Sequence, residues 1–178
     1  ALGTGGHTWK VRAKDGAGNW GSYSSTFNFT VDTDQSSPVV TVEAPAAGVS
    51  WEGGTVHNIT FTVTDESGLK ANSLAIYYST NNGATYPNLV TSDAAVVSPY
   101  SWTVPVISSN EVKVRVNVQD NSLAQNLGTG ESGSFTIDST GPAAPTLITP
   151  ANGSTTNDAT PLMTWEASTD GLTGIGSY

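Results

Sequence analysis

The chain contains no cysteine, so disulfides and thiolate metal sites are excluded. That absence is compatible with an extracellular home, because a domain of roughly 100 residues buries an adequate core without staples. Cations are scarce as well. Six Lys and Arg face 15 Asp and Glu, giving a net charge of −9 and a pI near 4.3. Binding to nucleic acid needs clustered cations that displace counterions from phosphate, and none cluster here. The same shortage disfavours anionic membrane surfaces, whereas an acidic surface favours solubility and divalent cations. No apolar run approaches the roughly 18 residues of a spanning helix, so direct membrane insertion is not expected. Helical periodicity is missing too. With charged residues at 12% and Gly, Ser, Thr and Asn abundant, the composition is that of short strands joined by turns.

What is present is a repeat. Pro45-Ala-Ala-Gly48 recurs as Pro150-Ala-Asn-Gly153, 105 residues on. Ile59, Phe61 and Val63 recur as Met163, Trp165 and Ala167 at an offset of 104. Trp9, Val11 and Ala13 lead to Asp15 as Val114, Val116 and Val118 lead to Asp120, again 105 apart, and Phe27-Asn-Phe-Thr-Val-Asp32 recurs one residue longer as Gly133-Ser-Phe-Thr-Ile-Asp138. Solenoid units run about 20–50 residues, so this period marks tandem domains of immunoglobulin size, about 100 residues each. Residues 1–33 read as the closing strands of one repeat, 34–138 as a complete repeat, and 139–178 as the opening strands of a third. Neither end piece has enough strands to bury its own apolar face. The chain begins at Ala1 without an initiator Met or a leader pattern, as expected of a mature product, a fragment or a window onto a longer protein.

Strict alternation marks strands with one buried face. Ile59, Phe61 and Val63 alternate with threonines; Leu74, Ile76 and Tyr78 follow; Asn81-Asn-Gly83 is a hairpin signal. Trp102 and Val104 form a strand that Pro105 stops. Val112 to Val118 alternates with Lys113, Arg115, Asn117 and Gln119, and Phe135 and Ile137 close the repeat. About seven short strands predict an all-β fold of tandem immunoglobulin-like Greek-key sandwiches.

Leu2 to Asn19 (LGTGGHTWKVRAKDGAGN) resembles strand F and the F–G turn of fibronectin type III-like repeats in large prokaryotic surface proteins. Pro142 to Tyr178, with its Pro-rich entry, Pro150-Ala-Asn-Gly turn and Thr164-Trp165, resembles the opening of the same repeat. Gly48 to Gly53, Ile76 to Gly83 and Tyr100 to Pro105 are similar to the immunoglobulin-like modules of surface-layer and adhesin proteins. The resemblance implies an extracellular, non-catalytic spacer, sheath, stalk or filament segment. Its partners would be adjacent repeats of the same polypeptide or other copies of the chain, the partial sandwiches being completed head to tail in the latter case. The alternative is a carbohydrate-binding accessory module of a secreted multidomain protein.

Catalytic patterns are absent. His7 and His57 start strands in different repeats, with no motif that brings a nucleophile to either. Acids paired across a cleft are not indicated, and no G-x-x-x-x-G-K loop occurs. Calcium is the one sharp candidate. In the immunoglobulin topology the B–C and F–G loops share the end where the preceding domain enters. That end would gather Asp32 and Asp34 from the linker, Asp65 and Glu66 from the B–C turn, and Asp120 and Asn121 from the F–G turn. Calcium takes such all-oxygen ligands, although Asp and Asn also start turns and remain solvated without any metal. A second junction would draw on Asp138 and Asp170. Three N-x-S/T triplets place glycosylation candidates at Asn28, Asn58 and Asn152, the first two turned outward by alternation. Trp20, Trp51, Tyr77 and Tyr86 are candidates for stacking on a cell-surface glycan, the other reading being that they pack on loops or on a neighbouring domain.

Overall fold

The computed structural model describes residues 1–177, and no helix occurs among them. Nine strands build the central body. Strands β3 (Val39–Ala44), β5 (Val56–Thr64) and β8 (Tyr100–Thr103) form one sheet in the order β3-β5-β8. The facing sheet runs β4 (Ser50–Glu52), β11 (Phe135–Asp138), β9 (Ser109–Gln119), β6 (Leu74–Ser79), β7 (Asn88–Ala94), and β10 (Leu127–Glu131) also pairs with β9. All pairings are antiparallel except β4 with β11. Sandwiches of this kind distribute their strands between the two faces by Greek-key crossovers.

The expected alternation supplies the core. Val112, Val114, Val116 and Val118 of β9 are fully buried and meet Ile59, Phe61 and Trp102 of the opposite sheet, with Leu74, Ile76, Phe135 and Ile137 alongside. Each fully buried side chain of this size contributes about 1.5–3 kcal/mol. Trp102 makes an edge contact with Trp51 and tilts against Tyr78, while Trp51 packs on Phe135 and stacks on His57, ring centroids 4.3 Å apart.

Two strands depart from simple alternation. In β10 the inward positions are Gly128 and Gly130, and β3 lies directly over them: a Cβ on Gly128 would sit 2.2 Å from the Pro38 carbonyl oxygen, and one on Gly130 2.5 Å from that of Val40. Between β10 and β11 the chain breaks step at buried Ser132, whose hydroxyl accepts from the Val114 amide (2.9 Å) and donates to the Gly133 carbonyl. The Asn81–Gly83 turn, with Asn82 and Gly83 at φ 54° and 87°, belongs to an eight-residue connection (80–87) between β6 and β7 rather than to a tight two-residue hairpin. Ser79 holds it: its hydroxyl accepts from the Asn81 and Gly83 amides and donates to Asn81 Oδ1.

Flanking this body are two hairpins, β1 (Gly5–Trp9) with β2 (Phe27–Val31) and β12 (Thr146–Thr149) with β13 (Thr164–Glu166). Their registers copy the central body. His7 faces Phe29 as Val112 faces Phe135, and Leu147 faces Trp165 as Val42 faces Phe61. The apolar side chains that would be inward in a complete sandwich lie open: Trp9 is 55% exposed, Phe27 59%, Leu147 79% and Met163 60%.

Candidate functional site

Three loops meet where the chain passes from β2 into β3. Asp32 and Asp34 lie in the linker, Asp65 follows β5, and Asp120 follows β9. Each carboxylate is first an Asx-turn acceptor, the local role expected of aspartate in turns. Asp32 Oδ1 accepts from the Asp34 amide, Asp34 Oδ1 from Ser36, and Asp65 Oδ1 from both the amide and hydroxyl of Ser67. Asp120 does most. Its Oδ1 accepts from Ser122 (amide and hydroxyl) and from the Asn126 amide, and its Oδ2 from Asn126 Nδ2 at 2.8 Å. Buried at 0% exposure, this carboxylate staples the whole F–G loop.

The loops are also tied to one another. The Asn121 amide donates to the Gly68 carbonyl, the Lys70 amide to Gln119, and the Leu123 amide to Asp32 Oδ2 at 2.7 Å. These bonds draw one oxygen from each of Asp34, Asp65 and Asp120 to within 4.8 Å of one another. Among the described residues no other group of three acids or histidines is so close. Asp34 Oδ2 is buried with no hydrogen-bond partner, which is costly for a carboxylate oxygen unless something else satisfies it. Asp32 stands beside the trio, bonded to Leu123; Glu66 and Asn121 are exposed and outside it. An all-carboxylate donor set with an orphaned oxygen fits a hard cation such as calcium.

Hydrogen bonding favours the charged form of two carboxyls at this junction, Asp32 and Asp120. The Asp34 and Leu123 amides hold the Asp32 carboxyl below its ordinary range, against partial burial and the repulsion of Asp120. Burial pushes the Asp120 carboxyl up, but the bonds from Ser122 and Asn126 outweigh it and the net direction is down.

The second junction is sparser. Thr173 Oγ1 bridges Asp138 Oδ2 (2.9 Å) and Asp170 Oδ1, and a hollow of about 390 Å³ lined also by Glu52 lies beside them. Thr140 stands where the first junction has Asp34.

No family model matches this sequence, and no curated protein does. Solved structures similar to it include the fibronectin(III)-like modules of Clostridium thermocellum CbhA, at 18% identity and TM-score 0.38, covering 56% of this chain and 94% of that one. A Ca²⁺-stabilized adhesin that helps an Antarctic bacterium bind ice is similar at 20% identity and TM-score 0.36. The match to it covers 80% of this chain and about a third, 34%, of that one.

The remaining candidates are placed as follows. Asn28, Asn58 and Asn152 are all exposed. His57 is engaged with Trp51, and His7 Nε2 bonds the Gly3 carbonyl at 2.7 Å. Of the four aromatics, Trp20 lies under the Arg12 guanidinium (4.2 Å), Tyr86 under that of Arg115 (3.7 Å), and Trp51 against His57. Arg115 is itself paired with Glu131 at 2.7 Å. Burial, reinforced by Glu131, pushes the Tyr86 hydroxyl up to about 12. Tyr77 alone of the four has no aromatic or cationic partner among the described residues. Sequence reading found the acids but not the serines and Asn126 that aim them; the recurring Asp-x-Ser spacing was the available signal.

Proposed function

We propose that the chain is a segment of an extracellular array of immunoglobulin-like repeats, acting as a spacer or adhesive stalk whose first junction is stiffened by calcium. The observation that supports it is the convergence of Asp34, Asp65 and Asp120 from linker, B–C and F–G loops around an unsatisfied Asp34 oxygen. A cation held there cross-links three segments that otherwise repel, and fixes how β2 leads into β3. Asp120 remains the loop staple, with Asp34 and Asp65 the ligands least committed elsewhere.

Scanning calorimetry in calcium, magnesium and chelator tests this. Extracellular calcium modules bind at roughly 10⁻⁴–10⁻³ M. Calcium at about one hundred times Kd stabilises the folded state by about 2.7 kcal/mol, or roughly 10–20 °C for a domain of this size. Magnesium, which demands near-ideal octahedral geometry, should do much less. Equal melting temperatures in calcium and chelator would remove the metal from the proposal.

The array reading accounts for the open hairpins. A two-stranded hairpin is marginal alone, and the apolar faces carrying Trp9, Phe27, Leu147 and Met163 need a cover. Like repeats supply it, either along one polypeptide or from another copy joined head to tail. Sedimentation of this chain separates the two: association that rises with concentration and is lost in Leu147→Asp supports joining between copies.

A further inference from the structure

The outer face of the larger sheet carries a groove of about 450 Å³ along β6, bordered by Tyr77, Asn117, Gln119, Lys70 and Asp93. This is within the roughly 300–1,000 Å³ of small-molecule sites. It exists because two small side chains, Ser73 just before β6 and Ala75 on it, stand between taller neighbours on β9 and β7.

Several features there have no role in holding the sandwich together. Strand β7 carries a bulge opposite Ala75: Leu74 faces Ala94 while Ile76 faces Thr91, so one residue is extra. Bulges of this kind re-aim side chains. Asp93 sits in it at φ 52°, a left-handed conformation that costs free energy for a non-glycine residue. Its carboxylate has no hydrogen bond or ion pair among the described residues. A second of the four positive-φ non-glycine residues, Asn72, also lines the groove, and a third, Gln125, stands behind it and accepts from Lys70 Nζ at 2.7 Å. Lys70 Nζ also bonds Gln119 Oε1, and Thr129 bonds Asn117 Oδ1, so the amide nitrogens of Asn117 and Gln119 are left as open donors. Tyr77 supplies a half-buried ring with no stacking partner among the described residues.

We propose that this groove binds a neutral sugar, one ring resting on Tyr77 with its hydroxyls on Asp93, Asn117 and Gln119. A ring face suits the apolar face of a pyranose. An unpaired carboxylate accepts from neighbouring hydroxyls, and the side-chain amides donate to sugar oxygens. The acidic chain, at −9, selects against anionic glycans. The site gives the stalk an adhesive function of its own, on side chains to which none of the three clustered acids contributes.

The test is amide-resolved NMR on the ¹⁵N-labelled full chain, titrated to millimolar cellotetraose, mannotetraose, chitotetraose and a galactotetraose, with an oligogalacturonate as the anionic control. At least one neutral sugar should shift amides of residues 73–77, 92–94 and 117–119, in calcium and in chelator alike. Tyr77→Ala should weaken binding roughly tenfold, the scale of one well-placed aromatic contact. Asp93→Asn, which keeps shape and removes charge, should weaken it too, and Tyr86→Ala should not. The proposal is overturned if no neutral sugar shifts those amides, if the oligogalacturonate binds more tightly, or if a Tyr77→Ala chain with an unchanged melting temperature binds as the wild type does.

Discussion

Substituting Gly128 by alanine should damage the sandwich and the calcium junction together. The added Cβ would lie 2.2 Å from the Pro38 carbonyl oxygen and 2.7 Å from Pro38 Cβ, where ordinary contact starts at 3.4 Å. Pro38 must therefore retreat by about 1.2 Å. It is buried and joins the linker to β3, so the strand moves with it. Overpacking of this kind costs about 1–3 kcal/mol. For a domain of this size a loss near 2 kcal/mol lowers the melting temperature by about 10 °C. Asp34 is four residues upstream. Calcium–oxygen bonds are about 2.3–2.6 Å long, so a displacement near 1 Å also loosens a ligand, and the calcium-induced rise in melting temperature should shrink. Calorimetry of Gly128→Ala and wild type, each in calcium and chelator, reads both effects. Thr129→Ala, on the exposed side of the same strand, is the control and should stay within about 0.5 kcal/mol. A Gly128→Ala chain that melts within about 2 °C of wild type would refute the close-approach reasoning.

Ser132→Ala should cost about 1–3 kcal/mol in a denaturant titration, because it strands the buried Val114 amide without a partner. Leu74→Ala, at a fully buried position, should cost about 2–5 kcal/mol by the same measurement. Arg115→Ala should cost no more than about 1 kcal/mol through its ion pair with Glu131, since both partners are about one-third exposed. The Asp32, Asp120 and Asp170 carboxyls lie below their ordinary range in the folded chain. Their contribution to stability is therefore full above the unfolded value near pH 4 and is lost as pH falls through the lower folded values. Melting temperature against pH should be flat above about pH 5 and decline below about pH 4; Asp120→Asn should flatten the decline.

Where one side of a strand is wet, its pattern is written in the sequence. The valines of β9 and the Ile59–Phe61 pair of β5 were legible for that reason. Strand β10 was not, because its inward residues are Gly128 and Gly130: closeness of backbone, not side-chain apolarity, packs that position. Strand β7 was hidden by its bulge, which throws Asn88 to Ala94 out of period two.

The candidate sites divide along the same line. Residue types at the junction announced oxygen chemistry, yet six candidates reduced to a converging trio only through amides contributed by Ser36, Ser67, Ser122 and Asn126, and through Asp32 turning to Leu123. Those choices depend on loop length and on which amide points inward, neither of which alternation encodes. The aromatics show the limit more sharply. Period-two reading turns Tyr77 outward, but whether a ring face is available depends on the cross-strand neighbour. Arg115 sits directly opposite Tyr77 in the β6–β9 register, yet its guanidinium lies on Tyr86 and pairs with Glu131. A salt bridge reaching from β9 to β10 thus leaves the ring on β6 uncovered on the same face of the sheet, and only the register of three strands at once reveals it.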